Sequence, residues 1–202
     1  MKRLVVGLTG GIAAGKTLAL EEFSRLGAAT VSSDRLAHEL SRKGMPAYRR
    51  ILGAFGKRVL RPDGELDRRK LAGLVFASPA RRRRLERLTH PLILREIFRR
   101  VSRAGRGVVV VDVPLLFEGG HESRFDLTLL VSSSRRTRLA RVTARDGLSL
   151  RAALKRFSAQ MPAAEKERRA DVVVHNDGSR GEFLRRIKSC QQAFALIQHG
   201  GR

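Results

Sequence analysis

Tryptophan is absent from this 202-residue chain and tyrosine occurs once, so a surface that binds by aromatic stacking is not expected. Cysteine also occurs once, at Cys190. That excludes an internal disulfide and a cysteine metal cluster, and it fits a reducing compartment. No stretch approaches the ~18 consecutive apolar residues that a membrane-spanning helix needs. Met1-Lys2-Arg3 followed by Leu4-Val5-Val6 has the outward form of a signal peptide, but the apolar run stops at Gly7. The expectation is a soluble, cytoplasmic protein. Acidic residues are few, 19 against 42 basic ones, for a formal charge of +23. Such a field draws polyanions, whether nucleotides, acidic cofactors, nucleic acid or anionic lipid, without choosing among them. An arginine-rich codon bias accounts for it equally well.

What is present is enough for a core: 42% of residues are apolar, and the length suits one domain with insertions. Short apolar runs predict strands at residues 4–8, 28–32, 108–111, 126–132 and 170–175. Four consecutive valines at 108–111 indicate burial on both faces, as in a parallel sheet. Helical spacing is read at 17–26, 35–40, 46–55, 68–101, 135–145, 150–160 and 181–198, with Pro79 and Pro91 dividing the fourth segment and Gly147 lying between the fifth and sixth. Pro62-Asp63-Gly64 marks a turn. Strands alternating with helices imply an α/β core with a parallel sheet. The stretch from about 35 to 104 is too long for a simple crossover and reads as a helical insertion.

One segment carries chemistry by its own pattern. Gly10-Gly11-Ile12-Ala13-Ala14-Gly15-Lys16-Thr17 fits G-x-x-x-x-G-K-[ST] between a predicted strand and a predicted helix. Phosphates demand a loop that turns successive backbone N–H groups inward, and glycine permits that curl. Lys16 then reaches the β- and γ-phosphates, and the Thr17 hydroxyl ligates Mg²⁺. Asp112 closes the valine strand, as an acidic metal-side residue does in many such folds, or as a strand-end cap. Asp34 follows the second strand, where it is either a general base or the N-cap of the next helix. Arg141 and Arg145 are one turn apart on a predicted helix, either closing over a phosphoryl group or facing water. Arg81-Arg82-Arg83-Arg84 reads as an exposed helix turn, with contact to an anion as the alternative. His90, just before Pro91, reads more readily as structural, and Asn176 after the last strand reads equally as an adenine contact or a turn residue.

Together these residues resemble the dephospho-CoA kinase family over nearly the whole chain. The resemblance rests on Gly7-Leu8-Thr9-Gly10-Gly11-Ile12, on Asp34 as the second aspartate of a D-x-D motif, and on Asp63-Gly64-Glu65-Leu66-Asp67-Arg68 followed by Leu71. It extends through Leu85-Glu86 with His90-Pro91-Leu92-Ile93, and through Asp112-Val113-Pro114-Leu115-Leu116-Phe117-Glu118. Arg141, Arg145-Asp146 through Gln160, Ala170-Asp171 and Asn176 complete it. The sequence departs from the family pattern at Ala13 and Ala14 (usually Gly and Ser), at Ser32 (the first aspartate of D-x-D) and at Leu18 (a usual threonine).

The resemblance implies a three-layer P-loop kinase fold with a five-stranded parallel sheet. It implies one domain, made of a core (1–34, 105–134, 169–202), a helical acceptor-binding insertion (35–104) and a lid (135–168). The implied reaction moves the γ-phosphoryl group of ATP to the 3′-hydroxyl of dephospho-CoA, with Mg²⁺. Asp34, Lys16 and Arg141 are the expected catalytic residues. Gly10, Gly11, Ala13, Ala14, Gly15, Lys16, Thr17, Leu18, Arg145 and Asn176 are the expected nucleotide-side residues. Thr9, Asp34, Arg68, His90, Pro114, Leu115 and Phe117 are expected on the acceptor side, and Thr17 and Asp112 at the metal. A monomer or weak homo-oligomer is expected, with no membrane and no nucleic-acid partner despite the charge. The rival readings are a P-loop kinase for another small hydroxyl acceptor, a nucleic-acid-binding ATPase, and a nucleotide-binding scaffold without catalysis.

Overall fold

Runs of valine and leucine make the strands here, because β-branched side chains suit an extended chain buried on both faces. The computed structural model describes residues 3–147, 149–158 and 160–200. Its first half runs β1 (Arg3–Gly10), α1 (Lys16–Arg25), β2 (Ala29–Ser32), α2 (Ser33–Leu40), α3 (Pro46–Phe55), α4 (Arg68–Phe76) and α5 (Pro79–Arg103). The second half runs β3 (Gly107–Asp112), β4 (Leu127–Ser132), α6 (Arg135–Asp146), α7 (Leu150–Ser158), α8 (Ala163–Arg169), β5 (Val172–His175) and α9 (Arg180–Gly200).

The five strands form one sheet in the order β2-β3-β1-β4-β5. β1 pairs in parallel with β3 on one side, Leu8 opposite Asp112, and with β4 on the other, Gly10 opposite Val131. β4 pairs in parallel with β5. The strand order reverses at β1, and the crevice at the carboxyl ends of strands beside such a reversal is where α/β sheets hold ligands. The core is apolar: Val6, Leu8, Val110, Leu129 and Val131 are fully buried. Phe23 of α1 stacks on Phe194 of α9, centroids 6.1 Å apart, so both helices are fixed on one face of the sheet.

The chain divides into two compact units, one of residues up to Val31 with those from Ala104 onward, the other Ser32–Arg103. The second is helical and has its own core of Tyr48, Ile51, Phe55, Val59, Leu66, Leu71 and Val75. Within it, Tyr48 donates from its hydroxyl to the Gly64 carbonyl (2.6 Å), closing the predicted turn. At its start the Ser32 side chain accepts from Arg35 N–H and caps α2.

Two expectations change. Pro79 and Pro91 do not both divide the helical region: Pro79 opens α5, and Pro91 lies inside its 25 residues. Long apolar spacing on both sides of Pro91 carries the helix through the missing N–H, and Arg50 donates to the Leu88 carbonyl (3.3 Å) there. The region after α7 also holds an unforeseen helix, α8, whose charged surface residues mask its one buried position, Lys166.

Candidate functional site

The loop joining β1 to α1 needs its glycines for want of space. A Cβ on Gly10 would lie 2.5 Å from the Val131 carbonyl oxygen, one on Gly11 would run into the Arg138 guanidinium, and one on Gly15 into the Asn176 amide. Gly15 also has φ 110°, in the left-handed region. Ala13 stands at φ 59°, which costs a residue with a Cβ about 1 kcal/mol. So the alanine that departs from the family pattern occupies a position that favours glycine. Gly15 is the N-cap of α1, and no side chain caps that helix. The first-turn N–H groups have no acceptor within the helix, and at such an end they form a cradle for an anion.

Three side chains brace this cradle. Asn176 is 5% exposed; its Nδ2 donates to the Ala14 carbonyl (2.7 Å) while its backbone N–H is held by the Ser132 carbonyl (2.8 Å). Arg141 donates from Nη2 to the Asn176 carbonyl (2.9 Å) and from Nη1 to the Ala13 carbonyl (3.4 Å). Gln160 accepts the Ile12 N–H at 3.1 Å. Lys16 Nζ lies 3.2 Å from the Gly10 carbonyl, curled over its own loop. Asn176, foreseen beside a nucleotide base, is here the tie between the loop and Arg141. Arg145 is turned away: it is exposed and forms a two-point pair with Asp146 (2.6 and 3.0 Å), which raises its pKa. Leu18 packs on the apolar core.

Sequence reasoning missed Arg138 and Asp177. Arg138 donates from Nε to the Ser133 carbonyl (3.0 Å), lies 4.9 Å from the Phe157 ring centroid, and has its pKa lowered by burial and by nearby Arg135. Asp177 accepts from Ser134 N–H (2.8 Å) and Ser133 Oγ (3.0 Å). Burial pushes its pKa up, but these donors and Thr137 outweigh that and hold it at about 2. A spacing of three from Arg141 was the available signal for Arg138; nothing local marks Asp177. A cavity of about 730 Å³, lined in part by Gly11, Ala14, Arg138, Gln160, Lys166 and Asp177, opens beside the loop.

For a metal, Thr17 is exposed in the first turn of α1, and Asp112 ends β3 beside Leu8, just before the loop. The Thr9 hydroxyl, next along β1 from Leu8, is buried with no hydrogen-bond partner among the described residues. No cluster of three or more His, Cys, Asp or Glu residues exists among the described residues. Hydroxyl and carboxylate oxygens in small number suit Mg²⁺, which keeps waters and phosphate oxygens as its other ligands. In the segment after β3, Pro114 is half-buried and Leu115 is 37% exposed. Phe117, expected to meet the acceptor, is 2% exposed beneath the Arg169 guanidinium (5.3 Å to its centroid), so its ring is a packing group.

In the helical unit, Ser32 caps α2 and leaves Asp34 exposed in the first turn, so the cap alternative for Asp34 falls. Arg68 donates to Ser41 Oγ (2.7 Å) and to the His38 carbonyl (3.2 Å), and burial lowers its pKa. It lines a cavity of about 520 Å³ with His38, Ser41, Arg42, Arg61 and Asp67. His90 is exposed on α5 and is not among that cavity's lining residues. The arginines at 81–84 are likewise exposed on α5.

A parallel sheet in this order, a glycine-lysine loop at its reversal point and an uncapped helix behind the loop define a P-loop kinase fold. A sequence profile of the dephospho-CoA kinase family matches residues 4–182. A dephospho-CoA kinase of Symbiobacterium thermophilum is 42% identical over 192 residues, 94% of this chain and 80% of that one. A solved Thermus thermophilus structure is 36% identical with a TM-score of 0.79, covering 96% of this chain and 98% of that one. The dephospho-CoA kinase of Campylobacter jejuni is 26% identical with a TM-score of 0.71, covering 99% and 100%. This chain belongs to the dephospho-CoA kinase family.

Proposed function

We propose that this chain phosphorylates the 3′-hydroxyl of the dephospho-CoA ribose with ATP, giving CoA and ADP. Family membership makes it an ATP-dependent kinase acting on a hydroxyl group, at the final step of coenzyme A biosynthesis. The observation that carries the reading is the N-terminus of α1, which no side chain caps and where backbone N–H groups and Lys16 belong to one loop that Arg141 of α6 braces through the Ala13 carbonyl.

In this reading the loop and Lys16 hold the phosphates of ATP, with Arg141 offsetting charge on the transferring group. Asp34 takes the proton of the attacking hydroxyl; the new bond is ribose oxygen to γ-phosphorus, and the β–γ bridging oxygen leaves with ADP. Thr17 and Asp112 are the oxygen donors suited to Mg²⁺, which when bound withdraws charge from the phosphate oxygens. Arg68, His90, Pro114 and Leu115 are assigned to the acceptor side, residues 35–104 to its binding and 135–168 to closure. Among the described residues no helix is long and apolar enough to cross a membrane. We assign the protein to the cytoplasm as a monomer or weak homo-oligomer, without a nucleic-acid partner.

A coupled ADP-release assay with Mg²⁺, with and without dephospho-CoA, tests the reading against a panel of nucleosides and nucleotides. Release stimulated by dephospho-CoA above all others is expected. Stimulation by another hydroxyl acceptor, or salt-sensitive RNA binding without phosphorylation, overturns it.

A further inference from the structure

Helix α8 is fastened to the core by charged side chains in a way the nucleotide chemistry does not require. Lys166 is 2% exposed, and its Nζ lies 2.6 Å from Glu118 Oε1 in the segment after β3. Glu167 accepts from the Ser132 hydroxyl at 2.6 Å. Arg169 pairs with Glu122 and covers the Phe117 ring. A buried lysine is tolerated only with its counter-charge, so Glu118 anchors α8 through Lys166.

Glu118 does a second thing. The same Oε1 accepts the Met161 N–H at 3.2 Å. Met161 follows Gln160, whose Oε1 accepts the Ile12 N–H of the phosphate loop. One carboxylate therefore holds both ends of the short connection 161–166. That connection in turn sets the backbone position from which Gln160 reaches the loop.

We propose that Glu118 is a positioning residue: through Lys166 and Met161 N–H it seats Gln160 on the phosphate loop and so sets nucleotide affinity. It touches neither substrate nor loop itself. The inference rests on the proposed ATP site, but its readout is ATP binding without any acceptor, so it stands or falls apart from the identity of the acceptor.

The test is a double-mutant cycle on the dissociation constant for ATP with Mg²⁺, by titration calorimetry. Gln160→Ala should weaken binding by about fivefold to tenfold, the worth of one hydrogen bond. Glu118→Gln, which keeps an acceptor for Met161 but removes the charge, should weaken it by a similar factor. Combined, the two should be no worse than either alone, because they act on one contact. Multiplying effects, or unchanged affinity in Glu118→Gln, overturn the proposal. If Glu118→Gln does not fold, Glu118→Leu with Lys166→Met removes both charges together. That pair must also lose its dependence on Gln160, and retained dependence overturns the proposal.

Discussion

Helices that follow a strand of the sheet begin differently, as α1, α2 and α6 show. α2 has Ser32 accepting from Arg35 N–H, and α6 has Ser134 accepting from Thr137 N–H with Asp177 accepting from Ser134 N–H as well. α1 has Gly15 and no side-chain cap. A side-chain cap serves the fold, whereas a helix N-terminus without one is suited to an anion from outside. The contrast also clarifies Asp34. Ser32 does the capping, so the exposed Asp34 carboxylate in the first turn is not the cap of α2.

The comparison breaks hardest at α1. Lys16→Met should lower kcat/KM for ADP release by about 10⁴-fold, since the charge on the transferring group then lacks its nearest cation. Folding, read by circular dichroism, should be unchanged, because Lys16 sits at the helix start and caps nothing. Asp34→Asn comes next, with kcat reduced about 10³-fold if its carboxylate is the base. Its Tm should stay put, since Ser32 still caps α2. Unchanged turnover removes Asp34 from catalysis. Arg141→Ala should cost about 10²-fold in kcat. Arg145→Ala, one turn along, should cost about threefold or less because its partner is Asp146. Equal losses at the two positions would mean that Arg145 leaves Asp146 during turnover.

Much of this was legible from sequence, for physical reasons that differ by region. The loop was legible because phosphate binding constrains the backbone itself, and glycines at 10, 11 and 15 are the trace of that constraint. The strands were legible because double burial selects valine and leucine without interruption. Arg138 and Asp177 were not, because their roles depend on Phe157, Ser133 and Ser134 meeting them in space. Gln160 showed only as part of a lid pattern, and its contact with Ile12 spans most of the chain. Asn176 was visible from its position after a strand, but its part in bracing the loop shows only in its bonds to Ala14 and Arg141. α8 escaped because a seven-residue helix with one buried position carries almost no periodicity.

A stability measurement sharpens the same contrast at α2. Ser32→Ala should lower unfolding free energy by about 1 kcal/mol, the usual worth of a serine N-cap. Ser32→Asp, which restores a capping oxygen and the family residue together, should recover it. If Ser32→Ala leaves chemical denaturation unchanged, the 3.3 Å contact to Arg35 is too weak to be a cap.

The smallest effect lies at α6, where the cap is reinforced by a carboxylate that titrates. Asp177 has its pKa held at about 2 in the folded chain, below the ordinary value of 3.8. A carboxylate depressed on folding adds stability that is fully present above the unfolded pKa and is lost as pH falls through the folded one. The contribution therefore fades between about pH 4 and pH 2. It is modest, because Asp177 is exposed and water screens it. Asp177→Asn keeps an acceptor for the Ser134 N–H but has no proton to bind. Its Tm should lie slightly below the parent's at pH 7 and fall less steeply over that interval, so that the two converge near pH 2. Parallel Tm profiles from pH 4 to pH 2 would show that the Ser133 and Ser134 donors prefer no charged partner. The reinforced cap of α6 would then differ from the plain serine cap of α2 in geometry alone.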